Sequence, residues 1–355
     1  MSTPPVSIAV IGAGLIGRRH IEHVLAQPCA TLAAIVDPTQ PAHDIATQHG
    51  VAWYPDLATL LTTSPPEAIV VATPNTMHAP QALQCVAAGI PALIEKPLAD
   101  TLEAAQHLVA AAEAAGIPLL TGHHRRHNPV IQAAKAAIDA GRLGRLVAVH
   151  ATCWFHKPAS YFDASWRKQP GAGPVLLNLI HDLDLLRLFC GDVASVQALE
   201  SNAVRGHDVE DTAAVLLRFH NGALGTITLS DTISSPWSWE LTSGENPAYT
   251  HTPESALMIG GTRASLSVPA LHLWQHDNKP DWWTELRRTT LEATPADPLA
   301  LQIRNLCAVV RGTAAPVMTA REGMETLRVI EAIKQAAAES RTVHLHHPGK
   351  PEADV

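Results

Sequence analysis

Short apolar runs alternate with amphipathic stretches through the first third of the chain. VSIAVI at 6–11 is wholly apolar but for one serine, leads straight into glycines, and precedes an amphipathic stretch from Ile16 to Ala26. A strand, a turn and a helix are predicted in that order. LAAIVD at 32–37, AIVVAT at 68–73, PALIEK at 91–96 and IPLLTG at 117–122 repeat the apolar run, with helical patterns at 79–88 and 101–115. Such alternation implies parallel strands joined by right-handed crossovers. After His123 the rhythm changes. A helix over 129–140 is followed by LVAVHATCWF, VASVQALE, DTAAVLLRF and GALGTITLS, strand-like runs not spaced by helices as the earlier ones are. They suggest a largely antiparallel sheet. An α/β chain of two domains is expected, 1–122 and 123–345, with a frayed tail at 346–355. The stretch 234–255 reads as a long loop, suited to a functional insertion or an interface arm.

The first turn carries chemistry. Gly12, Gly14 and Gly17 form GxGxxG between the first strand and helix, where glycines permit a tight turn, close approach of a pyrophosphate and helix-strand packing. Leu15 and Ile16 of that turn count with them as cofactor contacts. Asp37 follows Gly17 by twenty residues and ends the next strand, where a carboxylate accepts both ribose hydroxyls. It would repel a 2′-phosphate, and no Lys or Arg follows it in DPTQPAHD. NAD is expected in preference to NADP.

Composition narrows the partners. A chain of 355 residues exceeds a single ordinary core, and 46% hydrophobic with 16% charged residues is the balance of a folded protein. The net charge of −8 argues against nucleic acid. No uncharged apolar stretch is long enough for a membrane span, and MSTPPVSIAVIGAG does not read as a signal peptide, so a cytoplasmic protein with no membrane partner is expected. Five scattered cysteines suit reduced thiols.

With ATPNTMH at 72–78, AGIPALIEKP at 88–97, RRHNP at 125–129 and GAGPVLLNLIHDLD at 171–184, the chain resembles the glucose-fructose oxidoreductase, inositol dehydrogenase and MocA (Gfo/Idh/MocA) family over essentially its whole length. The resemblance implies an N-terminal Rossmann dinucleotide-binding domain and a C-terminal α/β domain with an open, mostly antiparallel sheet. It implies that Thr73, Pro74, Asn75 and His78 line the cofactor, and that Glu95-Lys96-Pro97, often cis at its proline, sets a lysine beside the nicotinamide. Arg126, with His127 and Asn128, is expected at the domain hinge near the nicotinamide end. Relatives associate through the open sheet, so a homodimer or homotetramer is expected.

Physical reasons stand beside these implications. Glu95 and Lys96 end a parallel strand, where ligands of open α/β sheets collect. Lys96 is a candidate for proton transfer and substrate contact, and Glu95 for its orienting partner. A rotation of about 100° per residue puts Asn178, His181 and Asp182 on one arc of a helix at 173–189, a polar stripe among leucines. His181 matches the family's acid/base histidine. Leu177 stands where many sugar and inositol dehydrogenases carry an aspartate, so an Asp-His-Lys mechanism does not carry over whole. Trp166 and Arg167 are substrate candidates, a flat apolar wall and a bidentate anion donor. His123, His124, His127 and His181 do not have the spacing of a zinc site, and no metal is expected.

The expected activity is an oxidoreductase acting on CH-OH groups of a small polyhydroxylated substrate: a sugar, a cyclitol or a derivative. The alternatives are a dehydrogenase of a carboxylated cyclic diol or hemiacetal, and a non-catalytic NAD-sensing protein.

Overall fold

The computed structural model describes residues 4–346, and the chain divides into two compact units. The first runs through Asn128 and takes in Ala296–Leu327; the second holds Pro129–Pro295 and the chain from Arg328 onward. This differs from a division at 122 in two respects. The turn His124–His127 stays with the first unit, where it packs on a late helix, and a segment near the C-terminus returns to that unit. Of the tail at 346–355, all but His346 lies outside the described residues.

In the first unit, β1 (Val6–Ile11), β2 (Ala30–Val36), β3 (Ala52–Tyr54), β4 (Ala68–Val71), β5 (Ala92–Ile94) and β6 (Leu119–Thr121) form one sheet in the order β3-β2-β1-β4-β5-β6. All its pairs are parallel, the doubly wound arrangement whose order reverses between β1 and β4. Helices cover both faces of such a sheet, which is why β4 is buried at every position. The crossovers are α1 (Leu15–Ala26), α2 (Gln40–His49), α3 (Leu57–Thr63), α4 (Asn75–Ala87) and α5 (Leu102–Ala115). Local chemistry fixes their ends: Asp56 accepts the Thr59 amide, Thr101 accepts the Ala104 amide, and Gly50 and Gly116 close α2 and α5 in the left-handed region.

In the second unit, α6 (Pro129–Asp139) leads to β7 (Leu146–Trp154), and α7 (Ile180–Cys190) to β8 (Val193–Ser201), β9 (Thr212–Phe219) and β10 (Leu224–Ser230). The segment 234–255 contains only the short helix α8 (Trp239–Thr242), and its buried Trp239 pins it to the core rather than leaving a free arm. Then come β11 (Leu257–Gly261), β12 (Ala264–Val268), β13 (His272–His276) and β14 (Leu286–Thr290). The chain returns to the first unit as α9 (Pro298–Val310), enters α10 (Ala320–Glu339), and ends its described structure on β15 (Val343–His344). The nine-stranded sheet runs β14-β13-β12-β11-β7-β10-β9-β8-β15 and is antiparallel at every pair but β7–β10. One face packs on α6, α7 and the later part of α10. Val147, Leu199, Leu216, Leu224, Met258 and Trp274 are exposed.

Candidate cofactor and active site

The glycine turn is shaped from both sides. Gly12 has φ of 87°, and a Cβ there would stand 2.5 Å from the Ala72 carbonyl oxygen; at Gly17 it would stand 1.9 Å from the Gly12 carbonyl oxygen. Those two positions are closed by the protein itself. Around Gly14 nothing lies within 4 Å, so this glycine opens on free space at the start of α1, where amides without helical partners face outward. Leu15 is exposed and Ile16 half-buried at the same helix end. Pyrophosphate oxygens fit this cradle.

Asp37 follows β2. Its Oδ2 accepts the Ala13 amide at 2.9 Å, and its Oδ1 accepts the Thr39 amide at 2.9 Å and the Thr39 hydroxyl at 2.6 Å. Partial burial would raise its pKa, but these hydrogen bonds outweigh burial and lower it. The carboxylate is thus ionised and fixed beside the glycine turn, as ribose hydroxyls require.

Beyond β4, Thr73, Pro74 and Asn75 keep accessible surface, and the Thr73 hydroxyl donates to Gln81 Oε1 at 2.7 Å. His78 does not line that surface. It is buried, with Nδ1 2.7 Å from the Pro97 carbonyl oxygen and Nε2 2.8 Å from that of Thr73, so it ties the segments that follow β4 and β5 together. Arg126 is likewise buried, its Nη2 3.0 Å from Glu322 Oε2 on α10.

Lys96 is half-buried past the end of β5, and the Lys96-Pro97 peptide is cis. Its backbone amide donates to Glu95 Oε2 at 3.2 Å. Glu95 Oε1 lies 2.7 Å from Nε2 of His20, which is wholly buried on α1. Burial would push the Glu95 carboxyl up, but the His20 hydrogen bond and the charges of His20, Lys96 and His124 together hold it at about 2. His20 escapes a search for motifs. Its signal was present in the periodicity: Gly17, His20, Ile21 and Val24 are the buried positions of α1, and an imidazole in that stripe must find a partner.

In the second unit the expected helix over 173–189 is corrected at its start. Val175–Leu179 forms a wider π turn before α7, so the 100° step fails there and Asn178 does not share a regular helical arc with His181 and Asp182. The turn begins where the Val175 amide donates to Glu210 Oε1 at 3.0 Å; Glu210 is a buried acid that belongs to none of the motifs. His181 is 8% exposed, while Asp182 and Asp184 are each 1% exposed, so all three are buried and the imidazole keeps the most surface. Asn178 is half-buried, its Oδ1 enclosed without a hydrogen-bond partner among the described residues.

Trp166 is 53% exposed, as a wall for a ligand ring requires. Arg167 is only partly the fork expected. Its Nη1 donates to the Tyr161 carbonyl at 2.7 Å, and its guanidinium lies 4.1 Å from the Tyr161 ring centroid and 5.3 Å from that of Trp166. One edge is committed to the protein. Among the described residues no three His, Cys, Asp or Glu side chains are grouped to hold a metal ion.

Residues 6–123 match the oxidoreductase family with NAD-binding Rossmann fold, and residues 131–267 match the GFO/IDH/MocA C-terminal domain. The chain is 33% identical to inositol 2-dehydrogenase 2 of Saccharopolyspora erythraea over 62% of its own length and 65% of that protein's. It is 30% identical to 1,5-anhydro-D-fructose reductase of Ensifer adhaerens, over 79% of this chain and 80% of that one. The crystal structure of the WlbA dehydrogenase from Bordetella pertussis, in complex with NADH and UDP-GlcNAcA, superposes with a TM-score of 0.78 at 25% identity, covering 97% of this chain and 99% of that one. Matches to both family models, in order and across both units, make this chain a member of the Gfo/Idh/MocA family of oxidoreductases.

Proposed function

We propose that the chain is an NAD-dependent dehydrogenase acting on a secondary hydroxyl, or the matching carbonyl, of a small sugar, cyclitol or derivative. The observation that carries the cofactor choice is Asp37, an ionised carboxylate fixed by three hydrogen bonds beside the glycine turn. A 2′-phosphate brought there would meet like charge. The substrate class is supported by the relatives named for inositol and anhydrofructose.

Gly12, Gly14, Leu15, Ile16 and Gly17 would hold the pyrophosphate, Asp37 the ribose, and Thr73, Pro74 and Asn75 the stretch toward the nicotinamide, with Glu95 and Lys96 beyond. When bound, NAD supplies a hydride acceptor. Oxidation then requires the hydroxyl proton to leave. His181 begins near pKa ~6.5 and needs little tuning to accept it, whereas Lys96 begins near ~10.4 and acts more readily as an ammonium donor to the developing alkoxide. Asn178 Oδ1, enclosed and without a hydrogen-bond partner among the described residues, would accept from a substrate hydroxyl. Trp166 supplies an apolar wall.

A second substrate class, a carboxylated cyclic diol or hemiacetal, is favoured by Arg167, which keeps donors beyond the one spent on Tyr161, and by Leu177 at the aspartate position. We place the enzyme in the cytoplasm, where its five cysteines, none of them in a disulfide, stay reduced. A second copy of the chain is assigned to the open face of the nine-stranded sheet, where Val147, Leu199, Leu216, Leu224, Met258 and Trp274 are exposed. The test is nicotinamide absorbance with NAD or NADP across myo-inositol, aldoses, anhydro sugars and carboxylated cyclic diols. Turnover of the first three supports the leading class and turnover of the last alone supports the second. Binding of NAD with no turnover of any would mark a sensing protein.

A further inference from the structure

We propose that His20 is a positioning residue for Lys96, acting through Glu95; this rests on Lys96 being the group that faces substrate. His20 is wholly enclosed on α1, and its Nε2 lies 2.7 Å from Glu95 Oε1. The other oxygen of the same carboxylate accepts the Lys96 backbone amide at 3.2 Å. One carboxylate thus joins a helix to the main chain of the lysine.

Glu95 has little freedom to do anything else. Its amide donates to the Val71 carbonyl at 2.9 Å, and Gly122 passes so close that a Cβ there would come within 2.9 Å of both Cα and Cδ of Glu95. A buried carboxylate must be matched by donors. Take away the His20 donor and Oε1 is left enclosed and unsatisfied, so the carboxylate turns or draws in water, and its grip on the Lys96 amide goes with it. The reach of a side chain depends on where its backbone stands, and displacements near 1 Å cost on the order of 10²-fold in rate. The same helix opens at Gly14 and Leu15, on the turn that would take the pyrophosphate. One rigid element therefore sets both the cofactor turn and the lysine.

The experiment uses the full-length protein and three variants, His20→Ala, His20→Gln and Lys96→Met. Glutamine can place its amide nitrogen near the Nε2 position. Hydrogen exchange in the unliganded protein reads the Lys96 amide: about tenfold faster in His20→Ala and near wild type in His20→Gln are expected. With NAD and the alcohol oxidised fastest in the panel above, His20→Ala should lower kcat about tenfold with KM for NAD within twofold. His20→Gln should recover most of that loss, and His20→Ala should cost nothing further in the Lys96→Met background. Should His20→Ala not fold, His20→Asn carries the same comparison. Wild-type exchange and kcat in His20→Ala overturn the proposal, as do equal losses in both lysine backgrounds or a His20→Gln no better than alanine. If Lys96→Met turns over normally, Lys96 is not the substrate-facing group, and the exchange data alone decide whether His20 holds its backbone.

Discussion

Lys334 Nζ stands 2.8 Å from Glu210 Oε2, while the other oxygen of that carboxylate accepts the amide that begins the π turn before His181. The lysine also reaches Glu200 Oε2 at 2.8 Å. Lys334→Met therefore leaves two acids facing one another, one of them, Glu210, almost wholly buried. A loss of about 1–3 kcal/mol at neutral pH is expected, measured by urea unfolding. The loss should shrink as pH falls, because protonation removes the uncompensated charge. Gly173→Ala, whose Cβ would stand 2.0 Å from Glu210 Oε1, should displace the same carboxylate and lower kcat. An unchanged unfolding midpoint in both variants would remove Glu210 from this role.

The proposed preference for NAD rests on Asp37. Wild-type protein should bind NAD at least tenfold more tightly than NADP, about 1.4 kcal/mol, and Asp37→Ala should narrow that gap by weakening NAD and admitting the 2′-phosphate. Equal dissociation constants for the two cofactors in the wild type, by fluorescence titration, would contradict it.

Stability should fall in mild acid because of His127. Burial, helped by the charges of His124 and Arg126, pushes its pKa down to about 4. The folded state therefore prefers the neutral imidazole. Its contribution is fully present above the unfolded value near 6.5 and is lost as pH falls from there to about 4, some ~3 kcal/mol in all. His127→Gln should flatten the melting temperature across that window. A slope as steep as wild type would place the acid sensitivity elsewhere.

Lys96→Met and His181→Ala should each lower kcat by about 10²-fold or more while NAD affinity stays within a few-fold. Only the histidine change should erase the acidic limb of the kcat/KM profile for oxidation. The limb persisting in His181→Ala and vanishing in Lys96→Met would make the lysine the base.

How much of this was legible depended on range. The central strands β1 and β4 announce themselves because burial on both faces leaves no polar position but Ser7, and GxGxxG with Asp37 is a local pattern spaced by one crossover. α2, β3 and α3 pass unseen, since β3 has three residues and none is buried. The hairpin strands β11 to β13 are hidden because exposed apolar residues such as Met258 and Trp274 spoil the alternation, and β14 because none of its residues is buried. At the site, Lys96 and His181 sit inside recognisable motifs. Glu210 does not, because its work is done on an amide 35 residues earlier, and nothing local in VEDTA reports it.

The return of α9 sets the order in which the protein can be finished. Ile303, Leu306, Cys307 and Val309 belong to the same core as Val6, Ile8 and Val10, yet nearly the whole second unit is translated between them. On the ribosome the N-terminal sheet waits with part of its hydrophobic surface uncovered until the last sixth of the chain emerges. The nucleotide-binding half cannot be cut out as a fragment ending at Asn128; a faithful excision would have to splice residues 296–327 back onto it.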